Sequence, residues 1–249
     1  MLALDFETSS ADPEQARIVT ACAGSASSAG WEPAEWLLRQ DAPIPAEATA
    51  IHGITTEKAN AHGRPAAECV LEVRNVLLTA WSLGQPVVGF NICYDLTVLD
   101  RESRRHGHGP LPILGPVIDG LVLDKAIDKF RRGSRKLVDV CAHYGITLDG
   151  AHDSTADALA SARLAWKLAL LLPNNILQSD PTELTRWQET QYADQRRSFA
   201  EYRRRKGEPL DDESTDWPIR PMPDRSPSMT ALYDTSTEVD TTEPTEATS

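Results

Sequence analysis

The 249-residue sequence predicts an α/β fold in which helices flank a mixed β-sheet. Three observations predict it. Two short apolar runs, Met1–Glu7 and Arg17–Gly24, are joined by a turn-rich stretch, the pattern of an antiparallel pair. After them, compact apolar strands alternate with segments of helical periodicity. Hydrophobic residues make up 41% of the chain, enough to build a core.

The first strand breaks at the turn formers Thr8 to Pro13, and Trp31 to Arg39 supplies a candidate third strand. Pro43 to Ile54 is Pro-rich and irregular yet carries apolar side chains, the composition of a functional loop. Over Ala66 to Leu83 the apolar residues Val70, Val73, Leu77 and Trp81 fall on one broad helical face, which Gly84 and Pro86 terminate. Val87 to Phe90 reads as a buried strand, and a helix follows from near Tyr94 to His106. Gly107 to Pro116 is a loop, Val117 to Asp119 a short strand, and Lys136 to Tyr144 a helix ended by Gly145. Ser154 to Leu172 is a long Ala/Leu-rich helix stopped by Pro173. Thr182 to Lys206 is a second helical unit with a stripe of Leu184, Trp187, Gln191, Gln195, Phe199 and Tyr202. From Gly207 onward Pro, Asp, Ser and Thr dominate, and such a segment is expected to stay disordered.

The net charge of −12 excludes a uniformly basic nucleic-acid coat. The charge is uneven: residues 1–180 carry a net −6, residues 181–206 a net +3 and residues 207–249 a net −9. No apolar run has the length of a membrane span, and no basic n-region precedes the first strand, so a cytoplasmic chain without a membrane is expected. The four cysteines are widely spaced without a Cys-x-x-Cys pair, which argues for reduced buried thiols over a zinc site.

Three constellations carry chemistry. In Asp5-Phe6-Glu7 the alternation of a strand points both carboxylates to one face and Leu2, Leu4 and Phe6 to the other. Crowded acids at the end of an apolar strand repel each other, and a hard divalent cation with oxygen ligands resolves that cost. Asn91-Ile-Cys-Tyr-Asp95 follows the Val87 strand, at the sheet edge where open α/β folds collect their sites. His152-Asp-Ser-Thr-Ala-Asp157 enters the long helix, with Asp153 or Ser154 as N-cap and Asp157 one turn in. Each alone has a bland reading as solvated acids or a helix cap.

Together, and in this order, they resemble the DEDD superfamily of 3′→5′ exonucleases in its histidine-using branch. The proofreading epsilon subunit of bacterial replicative polymerase and RNase T belong there. Ile51-His-Gly-Ile-Thr-Thr-Glu57 is similar to the family's substrate loop. Asp119 and the basic Lys125–Lys136 segment also resemble relatives. The resemblance covers about residues 1–172. It implies a ribonuclease H-like fold, a five-stranded mixed sheet flanked by helices. The implied organisation is an exonuclease domain over 1–175, a helical extension over 176–206 and an acidic tail over 207–249.

Carried over to this chain, the resemblance implies a metal site of Asp5, Glu7, Asp95 and Asp157 for two divalent cations, Mg2+ or Mn2+, with His152 as general base. Thr8 would contact the 3′-terminal nucleotide, and Ile51 and His52 would pack near its base. Phe6 and Asn91 complete the expected substrate-binding set. The implied function is release of nucleoside 5′-monophosphates from the 3′ end of DNA, with RNA as the alternative substrate and a DNA polymerase or replication protein as a candidate partner. A third reading is a degenerate domain that recruits a polymerase or clamp, against which the five intact site residues argue. The basic cluster from Lys129 to Lys136 is a candidate phosphate contact or a solvated loop. Arg203 to Lys206 reads first as a complement to its helix dipole.

Overall fold

The computed structural model describes residues 1–148, 150, 152–177, 180–208, 210 and 212–223. Three strands open the chain, β1 (Leu2–Thr8), β2 (Ile18–Ser27) and β3 (Gly30–Leu37). Three helices follow, α1 (Ala46–His52), α2 (Thr56–His62) and α3 (Ala66–Ser82). Then come β4 (Val87–Gly89), α4 (Ile92–Arg105), β5 (Val117–Asp119), α5 (Gly120–Ile127) and α6 (Leu137–Tyr144). The last elements are α7 (Ser154–Ala169), α8 (Asn174–Leu177) and α9 (Pro181–Arg205). The five strands form one mixed sheet in the order β3-β2-β1-β4-β5, with β1 antiparallel to β2 and parallel to β4. The α/β architecture expected from the sequence is therefore present.

Alternation along β1 divides the core. Leu2, Leu4 and Phe6 enter the main cluster with Val70 and Leu77 of α3 and Leu96 and Leu99 of α4. Ala3 faces the other way and meets Cys22, Ala158 and Ala162. These small side chains let α7 lie close against β1 and β2. All four cysteines are buried free thiols.

The open edge of β5 is closed by side chains of α9. Fully buried Gln188 accepts from the Asp119 N–H at 2.8 Å and donates to the Val117 carbonyl at 3.0 Å. The Thr185 hydroxyl accepts from the Val117 N–H at 3.1 Å. Unpaired strand groups thus find partners without another strand.

Several expectations need correction. Pro43 to Ile54 is not irregular throughout, because α1 forms there and ends at Gly53 in the left-handed region, φ 73°. Helix α2 forms where none was expected, held by the Thr55 hydroxyl accepting from the Lys58 N–H. Helix α5 is likewise new, and Asp119 caps it. The α9 stripe is only half right: Leu184 and Trp187 are partly buried, whereas Phe199 and Tyr202 are 45% and 50% exposed. The buried face runs through Gln188 because it serves polar groups of the β5 edge, which hydrophobic periodicity does not register.

The expected disordered tail also starts too early. Trp217 is 6% exposed and joins the main core cluster. The Arg220 N–H donates to the Thr97 hydroxyl at 3.0 Å, and Arg101 donates to the carbonyls of Arg220 and Pro221. The apolar island Trp217 to Ile219, visible in the sequence within the acidic stretch, buries enough surface to hold its segment. The rest of the expected tail, residues 224–249, lies outside the described residues. Among the described residues, no helix is long and apolar enough to cross a membrane.

Candidate active site

The site forms where β1 outlasts its parallel neighbour. β4 pairs with β1 only through Leu2 and Ala3, then turns at Gly89 into α4. A Cβ at Gly89 would lie 2.9 Å from the Ile92 side chain, so this turn requires glycine. Past the split, the Phe6 N–H has no strand partner. The Asp95 carboxylate, one turn into α4, accepts from it at 3.1 Å. Asp119 fixes the same turn from the other side, accepting from the N–H groups of Asn91 at 2.9 Å and Leu121 at 2.9 Å. Asn91 itself sits in the left-handed region, φ 62°, with no capping bond from its side chain.

Helix α7 brings the remaining groups. Asp153 caps it, accepting from the N–H groups of Thr155 and Ala156. Asp157 reaches back from the first turn and accepts from the His152 N–H at 3.1 Å, while its second oxygen is buried without a hydrogen-bond partner. That bond holds the exposed His152 at φ 69°. One ligand atom each from Glu7, His152 and Asp157 lie within 4.8 Å of one another.

Electrostatics show how crowded the acids are. Burial, reinforced by Asp95, Asp157 and Glu7, holds the Asp5 carboxyl well above the usual carboxylate range. Burial does the same for Asp95, against the hydrogen bond from the Phe6 N–H. Burial and then Asp157 push Glu7 up to about 7, and Asp157 is raised by burial too. Four acids held against their own ionisation, one with an orphaned buried oxygen, are a donor set that fits hard divalent cations.

Two clefts flank Glu7. One, of about 620 Å3, is lined by Thr8, Ile51, His52, Asn91 and Tyr94. The other, of about 380 Å3, is lined by Trp36, His52, Lys58 and His152. The structure therefore brings Glu7, His152 and Asp157 together, with Asp5 and Asp95 close enough to repel their neighbours, and gathers Thr8, Ile51, His52 and Asn91 at one cleft. Ile51 is 58% exposed there, and His52 keeps a buried ring nitrogen, Nε2, without a partner. Phe6 differs: its side chain packs into the core, so only its main chain borders the site. Strand alternation already placed it on that side.

Tyr94 had no role in the sequence reading. Its hydroxyl bonds Thr8 Oγ1 at 2.5 Å and donates to the Ser10 carbonyl, tying the strand end to α4. Its place beside Asp95 in the motif was the available signal. The basic loop resolves toward structure at two positions, since Arg131 and Arg135 pair with buried Asp124 at 3.0 and 2.6 Å. Arg203, Arg204 and Arg205 each pair with a glutamate.

A family model for exonucleases of the RNase T type matches residues 2–165. The chain belongs to that exonuclease family. Membership agrees with the motif resemblance and places the chain among the nucleases. A PolC-type DNA polymerase III of Lacticaseibacillus paracasei is 33% identical over 85 residues, which is 34% of this chain and 6% of the polymerase. A structure of exonuclease I superposes with a TM-score of 0.58 at 23% identity, covering 68% of this chain and 40% of that one. E. coli exonuclease I in complex with a dA16 oligonucleotide gives 0.59 at 22%, covering 71% and 41%. At such identity the likeness is one of fold, and this chain spans about two-fifths of exonuclease I.

Proposed function

We propose that this chain is a metal-dependent 3′→5′ exonuclease that hydrolyses the terminal phosphodiester of single-stranded DNA and releases nucleoside 5′-monophosphates. The observation that carries the reading is the convergence of Asp5, Glu7, Asp95 and Asp157, all raised by burial, beside His152. These four carboxylates would hold two divalent cations, Mg2+ or Mn2+. Such ions neutralise the phosphodiester and make water a better nucleophile. A form of E. coli exonuclease I bound to zinc and single-stranded DNA is among the solved structures of this fold.

The chain's own residues then divide the work. His152, exposed at the helix start, takes the proton of the attacking water. Its backbone N–H, bonded to Asp157, keeps the imidazole beside the acids. The larger cleft receives the 3′-terminal nucleotide: exposed Ile51 offers an apolar surface to the base, and His52 and Thr8 offer polar groups to the sugar. DNA is preferred over RNA on the likeness to PolC-type polymerase and to exonuclease I bound to deoxyoligonucleotides. The same likeness supports a replication context with a polymerase as partner.

The test is degradation of matched 5′-labelled and 3′-labelled single-stranded DNA and RNA with Mg2+, Mn2+ or chelator. A 5′-labelled DNA should shorten stepwise with metal and stay intact with chelator. Release of the 5′ label first, or turnover in chelator, would overturn the reading.

A further inference from the structure

A third cleft, of about 180 Å3, shares Asn91 with the larger cleft beside Glu7. It is lined by Asn91, Lys125, Arg196, Phe199 and Arg220. Lys125, Gln195 and Phe199 also line a fourth cleft, of about 390 Å3, which continues to Lys129 and Tyr202. Shared lining residues make one track: from the Glu7 cleft past Asn91, then along the face between α5 and α9. Helix α9 and residues 212–223 lie beyond the segment that matches the exonuclease family.

The track has the chemistry of a nucleic-acid strand. Among the described residues Lys125 and Lys129 make no hydrogen bond or ion pair, although Lys125 lies in the field of Asp119 and Asp124 and Lys129 sits over the Phe130 ring, whereas Arg131 and Arg135 are taken up by Asp124. The Nε of Arg220 is buried without a partner. Asp212 lies 3.7 Å from Arg196 and 3.6 Å from Arg220 and orients both. Phe199 and Tyr202, exposed and three residues apart, share one face of α9. Cations interleaved with exposed aromatic rings are the requirements of a single-strand platform: phosphates meet the cations and bases stack on the rings. Two stretches of net positive charge border the track in an acidic chain, +5 over residues 125–136 and +3 over residues 181–206.

We infer that Lys125, Arg220, Phe199 and Tyr202 form a track that holds the single strand leading away from the active site, with phosphates on the cations and bases on the rings. The inference rests on the exonuclease reading for its direction, because Asn91 connects the track to the 3′-terminal cleft.

The test uses the full chain and two readouts. Binding of fluorescein-labelled dT12 is measured in chelator, so no cleavage occurs, for wild type, Lys125→Gln, Phe199→Ala and the double variant. Each single change should weaken binding roughly 5- to 100-fold, and Lys125→Gln should also flatten the salt dependence by about one counterion. Cleavage of thymidine 5′-(p-nitrophenyl phosphate), too short to reach the track, should be unchanged in every variant, which also shows that they fold. Equal dT12 affinity in all four proteins overturns the track and leaves the exonuclease reading intact. Variant-sensitive binding by a protein that degrades no nucleic acid upholds the track and overturns the exonuclease reading.

Discussion

In metal-free protein at pH 8, Glu7→Gln should stabilise the fold. Glu7 lies against Asp157 and Asp153, and burial with that repulsion lifts it from 4.5 to about 7. A lift of this size corresponds to about 3 kcal/mol. Glu7 is only half-buried, so solvent screening reduces this to ~2 kcal/mol. A raised carboxyl binds its proton more tightly folded than unfolded. Its contribution to stability is therefore full below about 4.5 and is lost as pH rises through about 7. Glutamine fills the same volume without the charge. Urea unfolding in chelator at pH 8 should show the variant more stable by ~2 kcal/mol, or about 4–8 °C in Tm. The gain should shrink to a fraction of that at pH 5. Saturating Mn2+ should reverse the order, because only the carboxylate helps to hold the ion. A variant no more stable than wild type at pH 8 in chelator would refute the claim that these acids are strained without metal.

Three further outcomes are expected. Asp157→Ala should abolish turnover while circular dichroism stays native; retained nuclease activity would remove this acid from the site. His152→Ala should lower kcat roughly 10²- to 10⁴-fold with metal affinity retained, whereas lost affinity would make His152 a ligand beside Glu7 and Asp157. The rate is read at pH 8, above the value of about 7 that Glu7 has in the metal-free protein. Truncation after residue 223 should leave Tm unchanged, and truncation after 207 should lower it, since removing a buried Trp217 alone costs about 3–5 kcal/mol; equal Tm values would show that Trp217 contributes nothing.

The parts of the fold legible in the sequence are those governed by local periodicity. Strand alternation assigned Leu4 to the core and Asp5 to the opposite face, and capping chemistry placed Asp157 at the start of its helix. The turns that carry Asp95 and Asp119 were marked by short apolar strands that stop abruptly. Features set by distant partners were not legible. Gln188 is buried because β5 needs its carboxamide, and no pattern within α9 announces that. Trp217 joins the core cluster that holds Leu96 and Leu99 of α4, more than a hundred residues away in sequence, so composition around it pointed to disorder. Arg131 and Arg135 are open in the sequence to two readings, phosphate contact or solvated loop, because only the fold brings buried Asp124 beneath them.

The most direct test of the central claim is a single-turnover assay on 5′-labelled single-stranded DNA, comparing wild type with Asp5→Ala from parallel purifications in Mn2+. The account predicts that wild type removes nucleotides one at a time from the 3′ end, releasing 5′-monophosphates, and that Asp5→Ala leaves the oligonucleotide at full length. Nuclease activity of Asp5→Ala equal to wild type, or loss of the 5′ end first, would contradict it.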